Sequence, residues 1–229
     1  VFRVCGRDDQ QGKVGADFVI NHLKLKKAVV IHDKTTYGQG LADEFKKAIE
    51  NKIEIVYYGG IVQGDRDFKS VLTLIREKNP ELIFFGGIYP EAGLLVRQAR
   101  ELGYGGYIMS ADALTQDQID ASSGATEGVY QTNVYVPENE KFRRLVKKYR
   151  EKYGSEPDAP EFMAISYDAM YAIDEAARKN GIGREAIKEG LYEIRIEGAT
   201  GTVDFDETGL SPRFERIFVV KDGKPELVV

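Results

Sequence analysis

The chain has 229 residues, 42% of them hydrophobic, enough to bury a substantial core in one large domain or two small ones. Its net charge is −5 with both signs mixed along the sequence, which argues against nucleic acid as the main partner, because phosphate binding needs a concentrated basic face. No apolar run approaches the roughly 18 to 20 residues of a membrane span, and the single cysteine, Cys5, excludes an internal disulfide and a thiolate-rich zinc site.

The opening residues Val1 to Cys5 read as a strand with Cys5 buried and inert, and no charged-then-apolar leader precedes them. Such a start suggests a mature product, a fragment or a designed chain. Ala16, Val19, Ile20 and Leu23 then mark a helix. Ala28 to Asp33 is a buried strand, followed by helical spacing at Leu41, Phe45, Ala48 and Ile49. The beat repeats: strand Ile55–Gly59, helix through Phe68, Val71, Leu72 and Ile75, strand Leu82–Gly86, helix through Leu94, Leu95, Ala99 and Leu102. Tyr107–Ser110 and Gly128–Gln131 are two more short strands. Strand starts fall roughly 20 to 30 residues apart, as in βαβ units. The strands are apolar throughout rather than alternating, as expected of a parallel sheet with helices on both faces.

The character changes near Val134. Pro137 to Tyr153 reads as a helix striped by Phe142, Leu145, Val146 and Tyr149. After the polar break Gly154–Asp158, Pro160 opens a long helix to about Asn180 that is apolar nearly all round and so is expected to be well buried. Arg184 to Glu193 is another helix. The tail is β: Gly201–Asp204, then Phe214–Lys221, an Asp222-Gly223 turn, and Pro225–Val229. The helical stretch has too few strands to build a sheet of its own.

In open parallel sheets ligands sit beyond the carboxyl ends of the strands. Lys34–Gly38 follows the first βα-block strand, Gly87–Pro90 the third and Ala111–Ala113 the fourth, so Tyr37, Tyr89 and Asp112 fall on one rim. A carboxylate with tyrosine hydroxyls and rings suits an amine-bearing solute. Each could equally lie in solvent, and Asp112 could cap a helix near Thr115. Gly38-Gln39-Gly40-Leu41-Ala42-Asp43 starts like a dinucleotide fingerprint but carries Asp43 at the third glycine. His32 beside Asp33 resembles a catalytic pair, yet the sequence places no nucleophile near it, and a strand histidine is more often a satisfied core group. Asp8-Asp9 and Glu138/Glu140 read as solvated helix starts rather than metal ligands.

Three stretches are more specific: AVVIHDKTTYGQGL from Ala28, FFGGIYPEAGLLVRQA from Phe84, and YIMSADALTQDQIDASSGATEG from Tyr107. With Ile165–Ala169 and Gly201–Leu210 in support, the chain resembles the type I periplasmic solute-binding proteins, and among them the leucine/isoleucine/valine-binding branch. The resemblance covers essentially the whole chain. It implies an α/β fold with a doubly wound parallel sheet and an incomplete second lobe. Residues 6–133 with 214–229 would form the C-terminal-type lobe, and residues 1–5 with 134–213 a crossing strand and the remainder of the N-terminal-type lobe.

The resemblance implies a solute-binding component of an ABC importer, periplasmic or extracellular, that captures an aliphatic amino acid in an interlobe cleft by hinge closure and hands it to membrane subunits. No enzyme activity, cofactor or metal is implied. By resemblance Asp112 pairs with the ligand ammonium, Tyr37 and Tyr89 line the cleft, and Phe162 is a cleft aromatic of the first lobe. The groups that clamp the ligand carboxylate would precede this sequence, about a third of a typical member. The chain alone is then expected to bind aliphatic amino acids weakly and to self-associate through exposed apolar surface. A ligand-sensing regulator of the same fold, taking an amide or an aromatic acid, is the alternative; an enzyme using His32 and Asp33 is a third.

Overall fold

A computed structural model describes residues 1–211 and 215–228. In chain order the elements are α1 (Asp8–Asn21), β1 (Lys27–His32), α2 (Thr36–Ile49), β2 (Glu54–Gly60), α3 (Lys69–Glu77), β3 (Leu82–Gly86), α4 (Glu91–Glu101), β4 (Tyr107–Ser110), α5 (Gln116–Ala121) and β5 (Tyr130–Val134). There follow α6 (Glu140–Tyr153), α7 (Pro160–Asn180), α8 (Arg184–Glu193), β6 (Arg195–Gly198), β7 (Gly201–Asp204), β8 (Glu215–Lys221) and β9 (Lys224–Leu227). The chain divides into two compact units, a smaller one of Val1–Gly6 with Val134–Phe214 and a larger one of Arg7–Asn133 with Glu215–Val229.

The larger unit is α/β and doubly wound. Its sheet runs β2-β1-β3-β4-β5-β8-β9, with β1 parallel to β2 and β3, β3 to β4 and β4 to β5. Because β1 lies between β2 and β3, the chain winds outward in both directions from it, and the crevice between the loops after β1 and β3 is a topological switch point. Alternate residues of each strand feed opposite layers. Val29, Ile31, Ile83 and Phe85 pack with Leu72 and Leu95 under α3 and α4. Ala28, Val30 and Phe84 pack with Leu41 and Phe45 under α1 and α2, where the Phe45 and Phe84 rings stack at 3.8 Å. Burial on both faces is what makes these strands continuous apolar runs.

Two glycines let α2 close onto the end of β3. A Cβ built on Gly86 would stand 2.4 Å from the Gly38 carbonyl oxygen, a separation no side chain tolerates. The β8–β9 hairpin turns at Asp222 and Gly223, both with positive φ (50° and 72°), as a two-residue hairpin of this kind requires.

The smaller unit contains α6, α7, α8 and a two-stranded antiparallel ladder of β6 and β7. Its apolar clusters are modest, one around Val134, Ala164, Ile165 and Ala199, another around Ala172, Ala176, Leu191 and Val203. Polar side chains supplement them. Asp168, wholly buried on α7, accepts from Ala199 N (2.7 Å), Thr200 N (2.7 Å) and Thr200 Oγ1 (2.5 Å). Asn139 Nδ2 donates to the Gly198 and Ala199 carbonyls, while its Oδ1 caps α6 by accepting from Phe142 N at 2.8 Å.

Several expectations change here. Among the described residues Val1–Cys5 shows an isolated bridge, from Arg3 to Leu210, rather than a strand, and Cys5 is exposed rather than buried. α6 starts at Glu140, not Pro137, because Asn139 is its cap. α7 has the expected span but is buried on one side only, leaving Phe162, Tyr167, Met170 and Ile173 exposed. The expected strand start at Phe214 and end at Val229 lie outside the described residues.

Candidate ligand site at the sheet edge

The site is built from the loops that follow β1, β3 and β4 in the larger unit. Asp33, 1% exposed, follows directly on β1 and clasps two of them. Its Oδ1 accepts from Thr35 N (2.9 Å) and Thr35 Oγ1 (2.6 Å), and its Oδ2 from Ile88 N (3.3 Å) in the loop after β3. The Thr35 hydroxyl in turn caps α2 by accepting from Gly38 N at 2.9 Å. This fixes the first turn of α2, and with it Tyr37.

Tyr37 is half-buried against the α1–α2 core layer, and its hydroxyl donates to Asp112 Oδ1. Burial first, and then the Asp112 carboxylate, drive the Tyr37 hydroxyl far above its ordinary pKa, so it stays a donor. Gln11 Nε2, from buried α1, donates to the same Asp112 oxygen (3.3 Å) and to Thr132 O (3.4 Å). Asp112 Oδ1 is therefore held twice. Its Oδ2 makes no hydrogen bond among the described residues, and the side chain is only partly buried. Asp112 does not cap α5, whose N-cap is Thr115.

Tyr89 stands 54% exposed between Ile88 and Pro90, after β3 on the other side of the switch point. Phe162 belongs to the smaller unit, on α7, 37% exposed. The structure thus joins Tyr37 directly to Asp112, and among the described residues it gives the side chains of Tyr89 and Phe162 no hydrogen bond or ring partner. The residues that sequence reasoning missed are Asp33 as clasp and Gln11 as second donor. For Asp33 a local signal existed, because Asp-x-Thr is a turn in which the carboxylate takes the backbone N–H two residues on.

The His32–Asp33 pair does not form a catalytic arrangement. His32 Nδ1 accepts from Lys34 N (3.2 Å), burial lowers its pKa, and both Asp33 oxygens are committed to the loops.

A third carboxylate shapes the site. Glu215, 6% exposed at the start of β8, is pushed up to about 7 by burial and by the nearby Asp112 and Asp8 carboxylates. Between its ordinary value of 4.5 and about 7 the folded protein binds more protons than the unfolded chain, so stability falls as pH rises through that window. A shift of this size corresponds to roughly 3 kcal/mol. Urea unfolding at pH 5 and pH 8 is expected to show Glu215→Gln losing about that much less than the parent. Parallel profiles for the two would remove Glu215 as the cause.

A cavity of about 540 Å³ also opens in this unit, on the α4–α5 side of the sheet, and neither Tyr37 nor Asp112 lines it.

Comparison with known proteins agrees with this architecture. A family model described as periplasmic binding protein matches residues 1–221. An "Amino acid binding protein" of Pseudomonas aeruginosa is 38% identical over 221 residues, covering 91% of this chain, which spans 57% of that relative's length. Among solved structures, a leucine binding protein LivK of Thermotoga maritima superposes with a TM-score of 0.89 at 34% identity, covering 100% of this chain and 67% of its own. The branched-chain amino acid transporter substrate binding protein LivJ of Streptococcus pneumoniae, in complex with isoleucine, gives 0.85 at 27% identity, covering 99% of this chain and 67% of its own. With its doubly wound sheet, its switch-point loops and a family match over nearly its whole length, the chain belongs to the periplasmic binding protein family.

Proposed function

We propose that this chain carries the ammonium-recognising part of a solute-binding protein that serves an ABC importer of aliphatic amino acids. The larger unit is then the C-terminal-type lobe, and the smaller unit the remaining part of the N-terminal-type lobe. The observation that supports this reading best is Asp112, with one oxygen held by Tyr37 and Gln11 and the other open for a donor at the switch-point edge. Tyr89 offers an exposed ring to the aliphatic side chain. In this reading the protein works outside the cytoplasmic membrane and delivers its ligand to the importer's membrane subunits. Asp112 gives the site a carboxylate, while Glu215 beside it, pushed up to about 7, is largely protonated below that pH. That environment disfavours an aromatic acid, whose only charge is a carboxylate, and so weighs against the sensor alternative.

Calorimetry of the full-length protein with leucine, isoleucine, valine and alanine, and with 4-methylpentanoate as leucine without its ammonium, tests the reading. Leucine is expected to bind at least about a hundredfold more tightly than 4-methylpentanoate, since a desolvated charge contact of this kind carries roughly 3 kcal/mol. Equal binding of the two would defeat it.

A further inference from the structure

Charge is spread unevenly over this chain, and the mixture of signs along the whole sequence conceals it. α6, EKFRRLVKKYREKY, carries seven basic and two acidic residues, a net +5 in fourteen positions. The other 215 residues hold 25 basic and 35 acidic side chains, a net −10. Helical spacing gives the helix two sides. Phe142 and Leu145 turn inward and pack on the Val134–Ala164 cluster, with Val146 and Tyr149 half-buried on the same side. All seven basic side chains are exposed.

The nearby acids do not quench this basic side. Glu140 pairs with Arg144 at 3.1 Å, Glu151 with Lys147 at 3.8 Å, and Glu156 with Arg150. Every partner in these pairs is exposed, so the pairs are weak and exchange readily for other anions. Arg143, Lys148 and Lys152 have no acidic partner among the described residues, and Lys152 lies over the Tyr153 ring at 5.2 Å. Glu138 and Asp158 flank the helix beyond its two ends.

The arrangement selects the kind of anion. Side chains on the outside of a helix diverge, so these cations cannot converge on one small ion. They suit many anions dispersed over a surface, along a helix about 21 Å long. A leaflet of anionic headgroups offers that, and Tyr153, 59% exposed at the helix end, is an aromatic of the type that settles at headgroup level. The apolar side of α6 is already used in the core, so the contact is electrostatic, without insertion. The negative charge elsewhere is screened beyond a Debye length of about 8 Å, which leaves α6 as the side that faces the membrane.

We propose that α6 is a membrane-facing surface that rests, by its basic side, on a leaflet of anionic phospholipid. This uses the location proposed above, outside the cytoplasmic membrane, and not the identity of the solute. Leucine calorimetry tests the solute and vesicles test the helix, so either can fail alone.

The test is co-sedimentation of the 229-residue chain with vesicles of phosphatidylcholine, alone or with about 30% phosphatidylglycerol. At low salt the anionic vesicles are expected to bind at least about tenfold more chain than the neutral ones, and about 0.5 M salt should release it. Arg143→Glu, Lys148→Glu and Lys152→Glu together should cut binding at least about tenfold, with the far-UV circular dichroism unchanged. The same three positions changed to Gln should fall between that variant and the parent, and they decide the matter if the Glu variant fails to fold. Lys52→Glu, Lys69→Glu and Lys78→Glu make the Glu variant's change of charge in the larger unit, and should leave binding within about twofold of the parent. The proposal is overturned if anionic vesicles bind no more than neutral ones, if binding survives the high salt, or if the α6 variants bind as the parent does. It is equally overturned if the larger-unit variant loses as much, or if a DNA duplex at equal phosphate concentration binds more tightly than the vesicles, which would make α6 a nucleic-acid surface instead.

Discussion

Replacing Asp112 with alanine in the full-length protein is expected to weaken the binding of leucine by about 2–5 kcal/mol, roughly 30-fold to several thousandfold. Three losses combine. The ligand ammonium loses its counter-charge. The Tyr37 hydroxyl loses its acceptor, and its raised pKa bars it from ionising to compensate. Gln11 keeps only Thr132 O, at 3.4 Å. Asp112→Asn keeps the acceptor for Tyr37 but not the charge, so its effect should fall between alanine and the parent. Tyr37→Phe should cost less than either, because Gln11 still holds the same carboxylate oxygen. Calorimetry on the three variants separates charge from positioning. An affinity for Asp112→Ala within a factor of two of the parent would take Asp112 out of the site.

Asp168→Ala is expected to destabilise the smaller unit by at least about 4 kcal/mol, since it strands three buried donors at about 1–3 kcal/mol each with incomplete additivity. The carboxylate receives the Ala199 and Thr200 amides and the Thr200 hydroxyl, all within 2.7 Å. It also fills the space over Gly198, where a Cβ would stand 2.3 Å from Asp168 Oδ2. The turn between β6 and β7 therefore hangs by its N–H groups from α7 and by its carbonyls from Asn139. Asp168→Asn leaves one acceptor oxygen and should cost about half as much. Chemical unfolding followed by far-UV circular dichroism measures both. A stability within about 1 kcal/mol of the parent for Asp168→Ala would mean that water or a rearranged turn satisfies those donors.

The larger unit was legible because its physics is local and periodic. Strands such as Ala28–Ile31 and Leu82–Phe85 are apolar on both faces, and α2 carries Leu41, Phe45 and Ile49 on one face at helical spacing. The rim residues followed from the rule for parallel sheets. What the sequence hid is long-range. Asp33 reaches Ile88 N across 55 positions, and Gln11 reaches Asp112 across 101, and no local pattern announces either bond. The opening residues misled for a related reason. Phe2 and Val4 pack inward against the smaller unit's clusters while Arg3 and Cys5 face out, which is a strand's alternation. A strand also needs a ladder, and among the described residues the bridge from Arg3 to Leu210 is isolated. On α7 the apolar content suggests burial all round, but its inner face is formed mostly by small residues, Ala164, Ala172 and Ala176, with Ile165 and Asp168 among them. The larger apolar side chains, Tyr167, Met170 and Ile173, lie on the outer side. β6 escaped notice because Arg195-Ile196-Glu197-Gly198 is short and half charged.

The order of the sheet also sets an order of events in time. β5 and β8 are neighbours, with Gly128 N donating to Val220 O and Val220 N to Val129 O, each at 2.9 Å, yet all of the smaller unit except its opening residues Val1–Gly6 is translated between them. A nascent chain leaving the ribosome can assemble β1 to β5 early but must then carry β5 as a bare edge, open to pairing with another chain. Closing that gap through a disordered segment means bringing distant ends together, whereas a smaller unit that folds first has already fixed both ends of the excursion. Pulse-labelled hydrogen exchange during refolding should then find the β8 amides protected after those of β1 and β3, and simultaneous protection would contradict this sequence of steps. On this account the side chains that knit the smaller unit, Asp168 and Asn139, govern how long the β5 edge stays open, and a weakened smaller unit would first reveal itself as aggregation during synthesis.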